Sequence, residues 1–270
     1  MRPAHAAWSR SVGAMEPLYR PVIGLARTMF AVQGLRFTIR GEENVPRSGG
    51  AVMAINHLSY LDFVYAGLAA RKSKRYVRFM AKKSIFGHRV AGPLMRGMKH
   101  IPVDRKAGQG AYAAALAALR AGEIVGVFPE ATMSRSFELK PFKPGAAKMA
   151  QETGCPILPT TLWGAHRVWT KEIPRRMGRS RIPIHITVGD PLQVGRDDDI
   201  AAVTERLHAV MEAQLHAQQA AYPPLTGDEL RYLPARLGGT APTPEVARER
   251  DHHDMSRTVD EFNRKRWGGE

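Results

Sequence analysis

The chain has 270 residues, 44% of them hydrophobic and 24% charged, with one cysteine and a formal net charge of +15. That composition excludes a disordered or collagen-like protein, and Cys155 alone excludes an internal disulfide or a cysteine-built zinc site. The charge is one-sided: residues 1–106 carry 19 Lys and Arg against 5 Asp and Glu, while the remainder is nearly balanced.

A one-sided positive field suits nucleic acid or an anionic membrane surface. The basic residues alternate with apolar ones, and no zinc-finger, helix-turn-helix or RNA-recognition signature is visible, which favours lipid. A basic surface that serves solubility alone is the plain alternative. No run of 18 or more uncharged apolar residues occurs, and the N-terminus shows no signal-peptide core. A reducing, cytoplasmic compartment fits, and the chain is not expected to span a bilayer.

Residues 1–14 read as loosely ordered. From Met15 to Gly34, the residues Leu18, Val22, Leu25, Met29 and Val32 recur at helical spacing with Arg20 and Arg27 between them, Pro17 near the first turn and Gly34 at the stop. Such an amphipathic helix lies in a membrane interface or packs on the domain's own core. Leu35–Arg40 alternates as a strand, Gly41–Gly50 is a turn, and Ala51–Ile55 is an uninterrupted apolar run, the pattern of a strand covered on both faces of a parallel sheet. The theme then repeats. Helices are expected at 58–70, 89–98, 109–121, 145–152 and 199–219, and strands at 76–81, 100–103, 124–128, 157–162 and 182–188. This alternation predicts an α/β fold with a largely parallel central sheet flanked by helices. Segment 1–34 is read as the amphipathic helical segment, 35–221 as a single catalytic domain, and 222–270 as a weakly ordered tail with a short helix near 244–251.

Four segments carry chemistry. In Asn56-His57-Leu58-Ser59-Tyr60-Leu61-Asp62, a histidine follows a buried strand, where open α/β sheets bind ligands. With Ser59 capping the next helix, Asp62 falls at its N3 position, able to accept the imidazole Nδ1–H and leave Nε2 free as a base. That is the orienting half of a Ser-His-Asp triad, with a substrate hydroxyl in the serine's place. The bland alternative is a plain capping box beside a strand-end histidine. Ser59 as nucleophile lacks the G-x-S-x-G elbow.

In Ile101-Pro102-Val103-Asp104-Arg105, Arg105 at a strand end either clamps a phosphate or pairs with Asp104. In Phe128-Pro129-Glu130-Ala131-Thr132-Met133-Ser134-Arg135, parallel strands would bring Glu130 to the edge that holds His57 and Arg105. There Glu130 holds an acceptor hydroxyl or pairs with that arginine, and Thr132 with Arg135 binds phosphate oxygens; an ordinary strand-to-loop turn is the alternative. Cys155-Pro156-Ile157-Leu158-Pro159 reads as an edge or bulged strand and a wall for an acyl chain.

These four segments, in this order, resemble the motif blocks of the glycerolipid acyltransferases, the lysophosphatidic acid and glycerol-3-phosphate acyltransferases. His57 and Asp62 match the H-x4-D pair, Arg105 the arginine of the second block, Phe128-Pro129-Glu130 the F-P-E of the third, and Pro156 and Pro159 the fourth. The resemblance covers roughly residues 35–190. It implies an acyl-CoA or acyl-carrier-protein donor, direct attack by the hydroxyl of a 1-acylglycerol-3-phosphate, no metal and no bound cofactor. It also implies a basic, apolar face on the cytoplasmic side of a membrane, so a peripheral protein at the cytoplasmic face of the plasma membrane is the expectation. The third block departs from the usual F-P-E-G-T-R-S, with Ala131 for Gly and Met133 for Arg. Two other readings remain open: transfer to a different acceptor (a lysophospholipid, glycolipid or amino-acid lipid), and a non-catalytic basic protein that binds membrane or nucleic acid.

Overall fold

The structure is a computed structural model that describes residues 19–104 and 108–254. Seven strands form one sheet: β1 (Arg36–Arg40), β2 (Ala51–Ile55), β3 (Val77–Lys82), β4 (Ile101–Val103), β5 (Ile124–Val127), β6 (Ile157–Trp163) and β7 (Pro183–Val188). Their spatial order is β1-β7-β6-β2-β5-β3-β4. Every neighbouring pair is parallel except β6 and β7. The helices are α1 (Tyr19–Gln33), α2 (Asp62–Ala69), α3 (Lys83–Phe86), α4 (Ala91–Gly97), α5 (Gly108–Arg120), α6 (Gly145–Thr153) and α7 (Ile200–Ala220). No helix among the described residues is long and apolar enough to cross a membrane.

β2 lies at the centre of the sheet and all five of its residues are buried, which explains its uninterrupted apolar run. Met53 and Ile55 face Tyr65, Ala66 and Ala69 of α2 and Phe30 of α1. Val52 and Ala54 face the other layer, built from α5, α6 and α7. A third cluster joins Leu58, Phe137, Trp163 and Leu215 to Tyr222, Leu225, Tyr232 and Ala241. Gly126 of β5 is required by packing, since a Cβ there would sit 2.6 Å from the Phe79 ring.

Three expectations change. The stripe read on α1 is rotated: Tyr19, Phe30 and Gln33 are the buried positions, whereas Leu25 and Val32 stand 73% and 70% exposed. Pro17 and Leu18 lie outside the described residues. The helix expected from Leu58 begins at Asp62, because residues 58–61 turn so that the Leu58 and Ser59 amides bond the Asp62 carboxylate, Leu61 the Ser59 hydroxyl and Tyr60 the Trp169 carbonyl, none of them a helical carbonyl. Finally, residues 222–254 are packed on the domain through two 3₁₀ turns, Gly227–Tyr232 and Ala235–Leu237, followed by a helix over residues 244–254. They show no periodicity of their own because they cover a surface already formed by Trp163 and Leu215. Residues 255–270 are outside the description.

Candidate active site

Parallel pairing brings the carboxyl ends of β2, β5 and β6 to one edge of the sheet. Asn56, fully buried, fastens that edge: its Nδ2 donates to the Leu162 carbonyl at 3.0 Å and its Oδ1 accepts from the Leu162 amide at 2.7 Å. His57 follows immediately and leaves the sheet with its backbone held on both sides. Its amide donates to Glu130 Oε1 at 2.8 Å, and its carbonyl accepts from the Ser134 amide at 2.8 Å.

The His57 ring is as constrained as its backbone. Nδ1 lies 3.1 Å from Asp62 Oδ2, and one face stacks on Phe128 with centroids 4.3 Å apart. Asp62 Oδ2 also accepts from the Leu58 and Ser59 amides, each at 2.7 Å. Two donors fixed in the backbone hold the carboxylate in place, and the carboxylate in turn selects the tautomer with a proton on Nδ1. Nε2 is left unbonded among the described residues, on a side chain 23% exposed, while Asp62 is fully buried. Burial pushes the Asp62 carboxyl up, opposed by His57 and the two amides. Asp62 sits at the first helical position, two residues earlier than a capping box requires. Half of that box survives: Ser59 N–H donates to Asp62, but Ser59 Oγ accepts from Leu61 and donates to the Trp169 carbonyl. With its hydroxyl committed there, Ser59 is a brace.

Glu130 reaches the predicted edge and is bonded there to backbone. It is 4% exposed, with Oε1 on the His57 amide and Oε2 on the Lys140 amide at 3.1 Å. It buttresses the histidine's backbone, each carboxylate oxygen taking one backbone amide. Burial raises its pKa to about 8 against the pull of those two amides and of the Lys140 ammonium. Ala131, where the resemblance has glycine, adopts a left-handed φ of 61°. The preference for glycine there is conformational. Met133, in the usual arginine's place, is buried against Thr170, so no guanidinium can occupy that position.

Thr132 and Arg135 do come together near the site, in company no motif marks. Thr132 Oγ1 accepts from Lys140 Nζ at 2.5 Å. Arg135 is buried and each of its three nitrogens donates: to Glu172 at 2.8 Å and to Asp251 and Asp254 of the 244–254 helix. Lys140 also meets Asp251, and Lys171 Nζ lies 3.6 Å from the same carboxylate. Burial, then Arg135 and Lys140, push the Lys171 ammonium down to about 8. Lys140, Lys171 and Asp251 escaped sequence reasoning, and nothing in their spacing could have singled them out. Arg105, the expected phosphate clamp, lies outside the described residues. Its neighbour Asp104 pairs with Lys83 at 3.2 Å.

A cavity of about 760 Å³ opens between α1, α2 and β3. Its apolar lining includes Val22, Ile23, Phe30, Phe63, Val64, Leu68 and Phe79, with the exposed Arg27, Arg71 and Lys74 also bordering it. It begins one residue after Asp62, at Phe63, and follows α2 toward the amino ends of the strands. His57 is not among the residues that line it.

Residues 36–163 match the family model described as Acyltransferase. A 1-acyl-sn-glycerol-3-phosphate acyltransferase of Borreliella burgdorferi is 31% identical over 159 residues, which are 57% of this chain and 61% of that protein. The protein of the same name from Bacillus subtilis is 29% identical over 177 residues, covering 63% of this chain and 83% of that one. This chain thus spans less than two thirds of the Borreliella protein and most of the Bacillus one. In fold it is similar to the crystal structure of the 1-acyl-sn-glycerophosphate (LPA) acyltransferase PlsC from Thermotoga maritima, with a TM-score of 0.62 and 19% identity. That match covers 76% of this chain and 81% of the other.

Proposed function

From the match of residues 36–163 to the acyltransferase model and the similarity to bacterial proteins of that activity, we propose that the chain is an O-acyltransferase of phospholipid synthesis, moving a fatty acyl group from a thioester donor to the hydroxyl of a 1-acylglycerol-3-phosphate. The observation that carries the reading is His57, with Nδ1 committed to buried Asp62 and Nε2 free at the carboxyl edge of the sheet.

Nε2 removes the proton of the acceptor hydroxyl as its oxygen attacks the thioester carbonyl. Asp62 stabilises the imidazolium so formed. Collapse of the tetrahedral intermediate breaks the C–S bond, and the imidazolium returns its proton to the departing thiolate. An ester and a free thiol result, and the enzyme is regenerated with no covalent intermediate. Phe128 and Glu130 hold the ring and its backbone, which keeps the base oriented without substrate. The apolar cavity that starts at Phe63 takes the acyl chain. The donor thiol belongs to coenzyme A or an acyl-carrier protein, and the basic first half, with Leu25 and Val32 outward on α1, rests on the anionic cytoplasmic surface of the membrane.

One observation favours a second acceptor class. Met133 fills a buried apolar site where an arginine would meet a phosphate, which suits a lysophospholipid, glycolipid or amino-acid lipid that lacks a phosphomonoester. Purified protein incubated with labelled acyl-CoA and a panel of lysolipids separates the two. Phosphatidic acid formed by the wild type and lost in His57→Ala is expected. Full activity in His57→Ala, or acylation of every acceptor except lysophosphatidic acid, overturns the first reading.

A further inference from the structure

The basic groups nearest the catalytic loop converge on a carboxylate that belongs to the chain itself. Arg135, Lys140 and Lys171 come from two separate loops, and Asp251 meets all three. The cluster is coupled closely to the catalytic base, since one carboxylate, that of Glu130, bonds the backbone amides of both His57 and Lys140. Lys140 additionally holds Thr132.

The helix that delivers Asp251 is poorly anchored by apolar contact. Over residues 244–254 only Ala247 is buried, a side chain with little area to contribute. The helix is held chiefly by charge: Asp251 and Asp254 on Arg135, Asp251 on Lys140 and Lys171, and Arg250 on Glu172 at 3.1 Å. The contacts of Asp254 and of Arg250 with Glu172 are half-exposed and hold weakly, whereas Asp251 sits largely buried among its three cations and yields only to an anion that replaces it there.

We propose that Arg135, Lys140 and Lys171 form the seat of a dianionic phosphate monoester, and that Asp251 occupies it in the ligand-free protein as a stand-in, so that the 244–254 helix must leave before that anion enters. The inference rests on the phosphate-bearing acceptor proposed above, and it accounts for the buried Met133: the cations come from downstream residues instead of the usual position. A phosphate brings two charges and three acceptor oxygens where Asp251 brings one charge, and Arg135 offers a planar fork suited to it. Because the plug competes with the ligand, apparent affinity falls by the fraction of molecules that are open.

Glycerol 3-phosphate, soluble and bearing the same headgroup, is the probe, with glycerol as the control lacking phosphate. Calorimetry on the full chain should show Asp251→Asn binding it about tenfold more tightly than the wild type, the gain expected when an open fraction of about a tenth becomes nearly complete. Glu249→Gln, which removes an exposed charge from the same helix, should leave the affinity unchanged, and Lys171→Met should weaken it. In the wild type, glycerol 3-phosphate should accelerate hydrogen exchange over residues 244–254, and glycerol should not. Equal affinity in wild type and Asp251→Asn, or bound phosphate with the helix still protected, overturns the plug. If Asp251→Asn binds the probe and releases the helix while no variant acylates lysophosphatidic acid, the acceptor assignment fails and the seat stands. If acylation proceeds with a Michaelis constant indifferent to both Asp251→Asn and Lys171→Met, the seat fails and the acceptor assignment stands.

Discussion

Replacing Asp62 with asparagine isolates the charge that orients His57. Asp62 Oδ2 takes three donors: His57 Nδ1 at 3.1 Å and the Leu58 and Ser59 amides at 2.7 Å. An asparagine carbonyl can retain both backbone bonds, which places its NH₂ where Oδ1 now sits, a buried position with no hydrogen-bond partner in the structure. The loop keeps its shape while the partly exposed imidazolium loses an ionic partner that is itself fully buried. Removing one member of such a pair costs about 3–4 kcal/mol, and because the charge on the ring exists only as the reaction proceeds, the loss falls on the transition state. The turnover number should drop by roughly two to three orders of magnitude with little change in either Michaelis constant. Thiol release with a chromogenic disulfide gives the rate, and mass spectrometry of the product gives its identity. The melting temperature should not fall greatly, since a desolvated charge has been removed. A folded Asp62→Asn protein that turns over within about threefold of wild type would refute the orienting role.

Four other outcomes follow from the same geometry. Ala131→Gly relieves a left-handed alanine, a strain of about 1–2 kcal/mol partly offset by glycine's unfolded-state freedom, so the urea midpoint should rise by the equivalent of roughly 0.5–1 kcal/mol; a lower midpoint means the loop is not strained. Glu130 is a carboxyl whose folded pKa, about 8, lies above its unfolded value. Its contribution to stability is therefore complete below about pH 4.3 and is lost progressively as the pH rises through about 8. Denaturant midpoints should decline over that window and decline less in Glu130→Gln, and identical slopes in the two proteins exclude Glu130 as the source. Gly67→Met adds a Cβ that clears the Phe79 ring by 3.8 Å and a side chain that enters the cavity, so a mixed acyl-CoA pool should be used with a shift toward shorter chains; an unaltered profile moves the acyl chain elsewhere. Leu25→Glu with Val32→Glu should weaken sedimentation with anionic liposomes while leaving transfer to a detergent-dispersed acceptor intact, and undiminished sedimentation removes the outer face of α1 from the contact.

The contact between His57 and Asp62 was legible because the two lie five residues apart, directly after an apolar run whose continuity is the pattern of a doubly covered strand. The parallel sheet was legible for the same reason. Each strand and helix declares itself through periodicity within a few residues, and parallel pairing then leaves one edge where strand ends meet. The amphipathic stripe of α1 was misjudged by a fraction of a turn, because which side of a helix is buried depends on the surface it meets, here Phe37 and Tyr65 against Phe30.

The sequence by itself therefore determined the strand-and-helix alternation, the histidine at a strand end and the carboxylate able to steer it. Tertiary structure alone decided that Glu130 braces two backbone amides. It alone decided that Met133 is core, and that Arg135 reaches carboxylates more than a hundred residues away. Local patterns encode what a residue's near neighbours in the chain require. A charged side chain on a loop takes its partners from whatever the completed fold brings alongside, and no spacing records that choice.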